Sequence, residues 1–131
     1  MADYTSPNFD ELFAGGIVPE RMTAIIIQSG AGVVTRGTVL AKVGQVAEGD
    51  LYAGTPICVP VNSAGTKPGE TEPYAISADP VIDATAADVR GASFLDGEFN
   101  RDFLKFGGSD KVADHEDAMR KIGLITKRVV K

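Results

Sequence analysis

Hydrophobic and polar positions begin a regular pattern at residues 22–30, MTAIIIQSG, where Ile25, Ile26 and Ile27 form an unbroken β-branched run. Such side chains are stiff at χ1 and pack well on a pleated surface, so the run predicts a strand. Its lack of alternation predicts burial on both faces. The Thr35-Arg36-Gly37 step reads as a turn feeding a strand over 38–43, and Glu48-Gly49-Asp50 as the next turn. PICVPV, 56–61, is a short strand whose prolines, lacking an N–H, predict an edge or an exposed end. Residues 62–73, NSAGTKPGETEP, hold nothing apolar larger than Ala64 and predict a loop whose tip, 65–69, is exposed and tolerant of insertion. YAISADPVIDA, 74–84, gives two short strand pieces broken at Asp79-Pro80. In VRGASFL, 89–95, Ala92 and Phe94 share one face while Ser93 and Leu95 share the other. Neither face is fully polar, which predicts a strand covered on one side by the core and on the other by another layer or subunit.

The densest apolar stretch is 96–108, DGEFNRDFLKFGG, with Phe99, Phe103, Leu104 and Phe106 between glycines. Asn100 is placed to cap a single helical turn over 101–104, and Gly107-Gly108 then release the chain. From Ser109, Val112, His115, Met119 and Ile122 recur at spacings that predict one inward helical stripe. Asp114, Glu116 and Asp117 lie toward its start and Arg120 and Lys121 toward its end, as the helix dipole favours. Glu116 with Arg120 and Asp117 with Lys121 are set for i to i+4 pairing. Gly123 is the expected left-handed residue after the helix, letting Leu124 fold back onto Met119. The last segment, LITKRVVK, is a closing strand or a basic tail.

The first sixteen residues differ. Asn8 and Glu11 have capping-box spacing, Gly15-Gly16 end the turn, and Phe9, Leu12 and Phe13 make an apolar cluster on a segment too short to be stable alone. It must lean on its own domain or on another chain. Residues 1–16 are accordingly read as an N-terminal arm and 17–131 as a single β-rich domain.

Composition sharpens this picture. Fifteen glycines and seven prolines in 131 residues imply short strands joined by many turns, hence a mostly β (α+β) fold. The net charge of −5 argues against nucleic acid as the main partner. It is unevenly spread: residues 1–100 carry 13 acidic and 5 basic groups, whereas 101–131 carry 5 and 8. The single cysteine, Cys58, excludes an internal disulfide and reads as a small buried hydrophobe. No secretory pattern opens the chain and no stretch reaches membrane-spanning length, so the expected place is the cytoplasm where it is made, with no membrane partner.

Candidate chemistry is sparse. His115, the only histidine, lies on the inward stripe with no nucleophile or zinc-ligand spacing beside it. Asp79, Asp83, Asp88 and Asp96 lack the tight alternation of a calcium loop, and Asp96 with Glu98 reads as a solvated strand end. The expectation is no catalytic residue, no metal and no cofactor. One alternative to a structural role is a small β-barrel ligand-binding domain without catalysis, which needs a polar concavity such as a convergent Arg36, Asp79 and Glu98.

Taken in order, LFAGGIVP, TRGTVLAKV, a polar loop, AISADPVIDA, LDGEFNRDFLKFGG and AMRKIGLI resemble the lambda-type head decoration proteins of tailed bacteriophages over residues 12–125. DGEFNRDFLKFGG followed by a short helix and Gly123-Leu124-Ile125 is the most specific part, and Asp79-Pro80 is a departure. The resemblance implies a small β-barrel or β-tulip-like domain with one short C-terminal helix and an extended N-terminal arm. It implies a homotrimer on the outside of the expanded virion head, made in the host cytoplasm, that cements the shell against DNA pressure. The major capsid protein is then the partner. The arm gains a role, with Tyr4, Thr5 and Ser6 adding a strand to an exposed edge and Phe9, Leu12 and Phe13 anchoring beside it. Deleting residues 2–16 is expected to abolish shell binding without unfolding the domain. Phe94, Leu95 and Phe99 are the expected subunit contacts.

Overall fold

The computed structural model describes residues 12–14 and 21–128. Its elements are β1 (Met22–Ile27), β2 (Gly32–Thr35), β3 (Val39–Gln45), β4 (Pro56–Pro60), β5 (Ala75–Ser77), β6 (Val81–Ala84), β7 (Val89–Phe94), β8 (Gly97–Asn100), α1 (Val112–Lys121) and β9 (Leu124–Lys127). Five strands close a barrel in the order β1-β4-β3-β5-β7. β2 and β6 form a separate antiparallel ribbon, and β8 and β9 a parallel pair. The fold is thus mostly β, a small barrel with one short C-terminal helix.

Alternation along β3 explains why there are two cores. Val39, Leu40 and Ala41 are all fully buried, yet successive side chains on a strand point to opposite faces. Leu40 joins Ile25, Ile27 and Cys58 of the barrel strands, together with Val34, Ile82 and Ala84 of the ribbon. Val39 and Ala41 instead join Ile76 and Phe94 on the opposite face, where Leu12, Val61, Phe99, Met119 and Leu124 cover them. The barrel therefore packs on both sides of its wall over β3, β5 and β7, and β8, β9 and α1 are the second layer.

Several expectations change. Ile26 is only half-buried while Ile25 and Ile27 are fully buried, so the β1 run alternates after all. β4 lies inside the barrel between β1 and β3 rather than at an edge. Its ladder to β1 uses only Ile57 and Cys58, and Pro56 and Pro60 stand at the ends, where the missing N–H groups cost no bond to β1. The 62–73 segment is a loop, but a tethered one: Asn62 N–H donates to Glu70 O at 3.0 Å, and Glu70 N–H to Lys67 O at 3.0 Å. At its tip Gly69 has φ +85°, and a Cβ there would meet the Lys42 carbonyl oxygen at 2.2 Å, so the tip is built against β3.

The helix begins at Val112, three residues later than expected, because Asp110 N–H first closes a turn onto Gly107 O at 3.2 Å. His115 and Met119 face inward, but Ile122 is 41% exposed. Glu116 turns to Arg101, whose Nε and Nη2 donate to it at 3.1 and 3.2 Å, and Arg120 meets Asp117 at 3.5 Å. Gly123 takes φ +94° as expected, and Leu124 is buried with Met119. Asp79-Pro80 separates β5 from β6, and the chain leaves the barrel for the ribbon there. The final segment supplies β9, a strand, and Asn100 Oδ1 accepts from Asp102 N–H at 3.1 Å to cap a turn.

Candidate functional site

The described part of the N-terminal segment is stitched to β8. Phe13 bridges Phe99 in antiparallel register; Ala14 N–H donates to Glu98 O at 3.1 Å and Asn100 N–H to Leu12 O at 2.7 Å. Leu12 is completely buried. The Phe13 ring meets Phe94 edge-on with centroids 5.4 Å apart, and Phe99 lies 5.8 Å from Phe13 and 6.0 Å from Phe94. Arg36 lays its guanidinium 5.6 and 5.4 Å from the Phe13 and Phe94 centroids and donates to Ala78 O. Leu12 and Phe13, expected as capsid anchors, thus contribute to the chain's own core and fix the described end of the N-terminal segment. A boundary at residue 16 leaves them on the arm side. Tyr4, Thr5, Ser6 and Phe9 lie outside the described residues.

Of the expected subunit contacts, Phe94 and Phe99 are buried inside the chain's own fold, so a charge at either attacks its folding. Leu95 differs. It is half-buried and lines a groove of about 290 Å³ with Arg21, Pro73, Tyr74 and Ile122. Arg21 is held there by Asp96, which accepts from its Nε and its backbone N–H at 3.1 Å each. Strand and helix patterning passes over two other large apolar residues, Leu51 and Tyr52, which the structure sets out on the loop between β3 and β4. Their signal was a leucine and a tyrosine directly after an acidic turn, where a polar loop was due.

Among the described residues Arg36, Asp79 and Glu98 are each engaged by different partners. Asp79 accepts from Ala92 N–H at 2.8 Å, Glu98 pairs with Lys127 at 3.1 Å, and Arg36 is spread over the phenyl rings. Neither the Leu95 groove nor the polar cleft of about 220 Å³ beside Asn62, Lys67 and Glu70 is lined by any of the three. The most ordered polar group is structural: His115 Nε2 and Asp110 Oδ2 are 2.6 Å apart, and Ser63 donates its backbone N–H at 2.6 Å and its hydroxyl at 2.7 Å to the same carboxylate. Burial alone would raise the Asp110 carboxyl, but the hydrogen bonds from His115 and Ser63 outweigh it and hold it below the usual carboxylate range. The network clamps the 62–73 loop to α1, with His115 stacked on Phe106 at 5.5 Å. Burial pushes the Cys58 thiol up to about 12, which leaves it an inert packing group at neutral pH. Among the described residues no three His, Cys, Asp or Glu side chains gather into a metal-binding group, and no helix is long and apolar enough to cross a membrane.

Among the described residues the surface carries an apolar groove, a polar cleft and an apolar loop tip. No individual curated protein sequence matches the chain. Residues 10–124, from just before the arm root to the first residue of β9, match the bacteriophage lambda head decoration protein D family. The match spans the barrel, the ribbon and the helix together, and the chain belongs to that family of phage head decoration proteins.

Proposed function

We propose that the protein binds the outer surface of the expanded phage head as trimers and stabilises the shell against the pressure of packaged DNA, with the major capsid protein as its partner. The family supports decoration of the head, and the observation that carries the rest is the arm root. Leu12 is fully buried and residues 12–14 pair with β8, so any load taken by residues 1–11 passes directly into the protomer's core. A cement protein needs no turnover; it needs many modest contacts anchored in rigid bodies, whose strengths combine when one oligomer engages several sites. Tyr4, Thr5, Ser6 and Phe9 are the arm residues proposed to engage the capsid.

The test is co-sedimentation of the purified protein with expanded, undecorated heads and with unexpanded procapsids. Binding to the expanded heads alone, saturating at a fixed ratio to capsid subunits, is expected. Equal binding to both, or to neither, would overturn the proposal.

A further inference from the structure

The loop between β3 and β4 is too well built for a mere connection. Val46 N–H donates to Thr55 O at 2.9 Å and Gly54 N–H to Val46 O at 2.8 Å across its neck; Asp50 N–H bonds Ala47 O and Ala53 N–H bonds Asp50 O, each at 3.2 Å, within it. Thr55 Oγ1 donates to Tyr52 O at 2.7 Å. Tyr52 takes φ +66°, a left-handed conformation that a bulky residue adopts only when its surroundings impose it. The Arg90 guanidinium sits 3.7 Å over its ring. All this order presents Leu51, 78% exposed, at the tip. An apolar side chain so exposed on so fixed a loop has the form of a knob without its hole.

A hole of matching character lies elsewhere on the same chain. The groove of Pro73, Tyr74, Leu95 and Ile122 has an apolar floor, and its volume takes a leucine side chain with room for the edge of a tyrosine ring. The flanking charges differ as well. Exposed Glu48 and Asp50 lead into Leu51, with Arg90 over the neighbouring Tyr52 ring, whereas Arg21, paired with Asp96, lines the groove, and exposed Arg120, paired with Asp117, and Lys121 lead into Ile122. A protomer does not fill its own groove: Arg90, under the knob, and Leu95, in the groove, are five residues apart along the chain, about 16 Å of extended strand.

We infer that the Leu51–Tyr52 knob of one copy seats in the Leu95–Ile122 groove of a second copy, its acidic approach against the groove's basic rim. Unlike patches joined head to tail generate a closed ring when the rotation closes. The contact also lets copies that each carry a net charge of −5 meet where their charges attract. The inference rests on the proposed trimer and names the surfaces that build it.

The test uses two full-length variants, Leu51→Cys and Ile122→Cys, both at exposed positions, with Cys58 buried and its thiol unreactive. They are oxidised separately and mixed, in concentrated solution and after loading on expanded heads. The expected result is a disulfide-linked dimer from the mixture, in either setting, and little from either variant alone. Protein that pellets with the heads but gives no mixed dimer overturns the knob-and-groove contact while leaving decoration intact. Protein that pellets with no head overturns the decoration reading, and the mixed disulfide in concentrated solution then decides the contact alone. Self-linking of each variant as readily as the mixture also overturns it, since that is the mark of a two-fold contact. As an independent check, Leu51→Asp should weaken self-association roughly tenfold or more with an unchanged melting temperature.

Discussion

Asp110 shows how much one side chain can hold in this fold. Its carboxylate receives Ser63 twice and meets His115 once, joining a loop to a helix that share no strand pairing. Replacing it by Ala would leave the buried His115 ring without this partner, a loss of about 1–3 kcal/mol. Because its folded-state pKa is lowered, its contribution is fully present above the unfolded carboxylate value, about 3.9, and disappears as pH falls through the folded value. Glu116 adds to the same acid limb: hydrogen bonds from Arg101 and then Thr126 lower it, against the effect of burial. Asp110→Asn should therefore melt well below the wild type at pH 7, and the gap should narrow as pH drops below about 4. A gap that stays constant with pH would mean that the ionised carboxylate is not what stabilises the clamp. Leu12 gives a second residue-scale prediction. Being fully buried, Leu12→Ala should cost about 2–5 kcal/mol in chemical denaturation, whereas a residue serving only an arm would cost almost nothing.

At the scale of elements, what was legible followed from local chemistry. The α1 stripe, the Gly123 stop, the Asp79-Pro80 break and the strand at 89–95 each depend on a few consecutive residues. What was hidden depended on distant partners. Nothing in PICVPV shows that β1 will lie parallel to its middle, which is why its prolines read as edge markers. Nothing in NFDELFAGG shows that Phe13 will bridge Phe99, so Leu12 and Phe13 read as part of a detachable arm. Phe94 and Phe99 likewise read as subunit contacts because the residues that cover them, Leu12, Met119 and Leu124, lie far from them in the chain. This relocates the arm experiment. Deleting residues 2–16 removes Leu12 from the core and should destabilise the domain, so lost shell binding would be uninformative. Deleting 2–11 keeps Leu12, Phe13 and Ala14, and should leave the melting temperature within a few degrees while abolishing binding to expanded heads. Retained binding would remove the arm from the mechanism.

At the scale of the whole molecule, arm and knob do different work, and shell binding should separate them. In the proposed assembly an arm rooted in β8 ties one copy to one capsid site, whereas the knob-and-groove contact ties copies to one another. A ring presenting three arms makes its second and third attachments from a high effective concentration, which raises overall affinity by about 10²–10⁴ over a single arm when geometry allows. Leu51→Asp leaves every arm and its root intact but sets an acidic group against the apolar floor of the groove. It should therefore still bind expanded heads, with an affinity lower by about a hundredfold or more, and should lose the cooperative rise in occupancy expected of the wild type. Deletion of residues 2–11 should instead abolish binding while self-association persists. The two variants, titrated on the same heads by co-sedimentation, give opposite patterns if arm and knob are separate. Equal losses of shell binding and self-association in both would show that arm and ring are one contact.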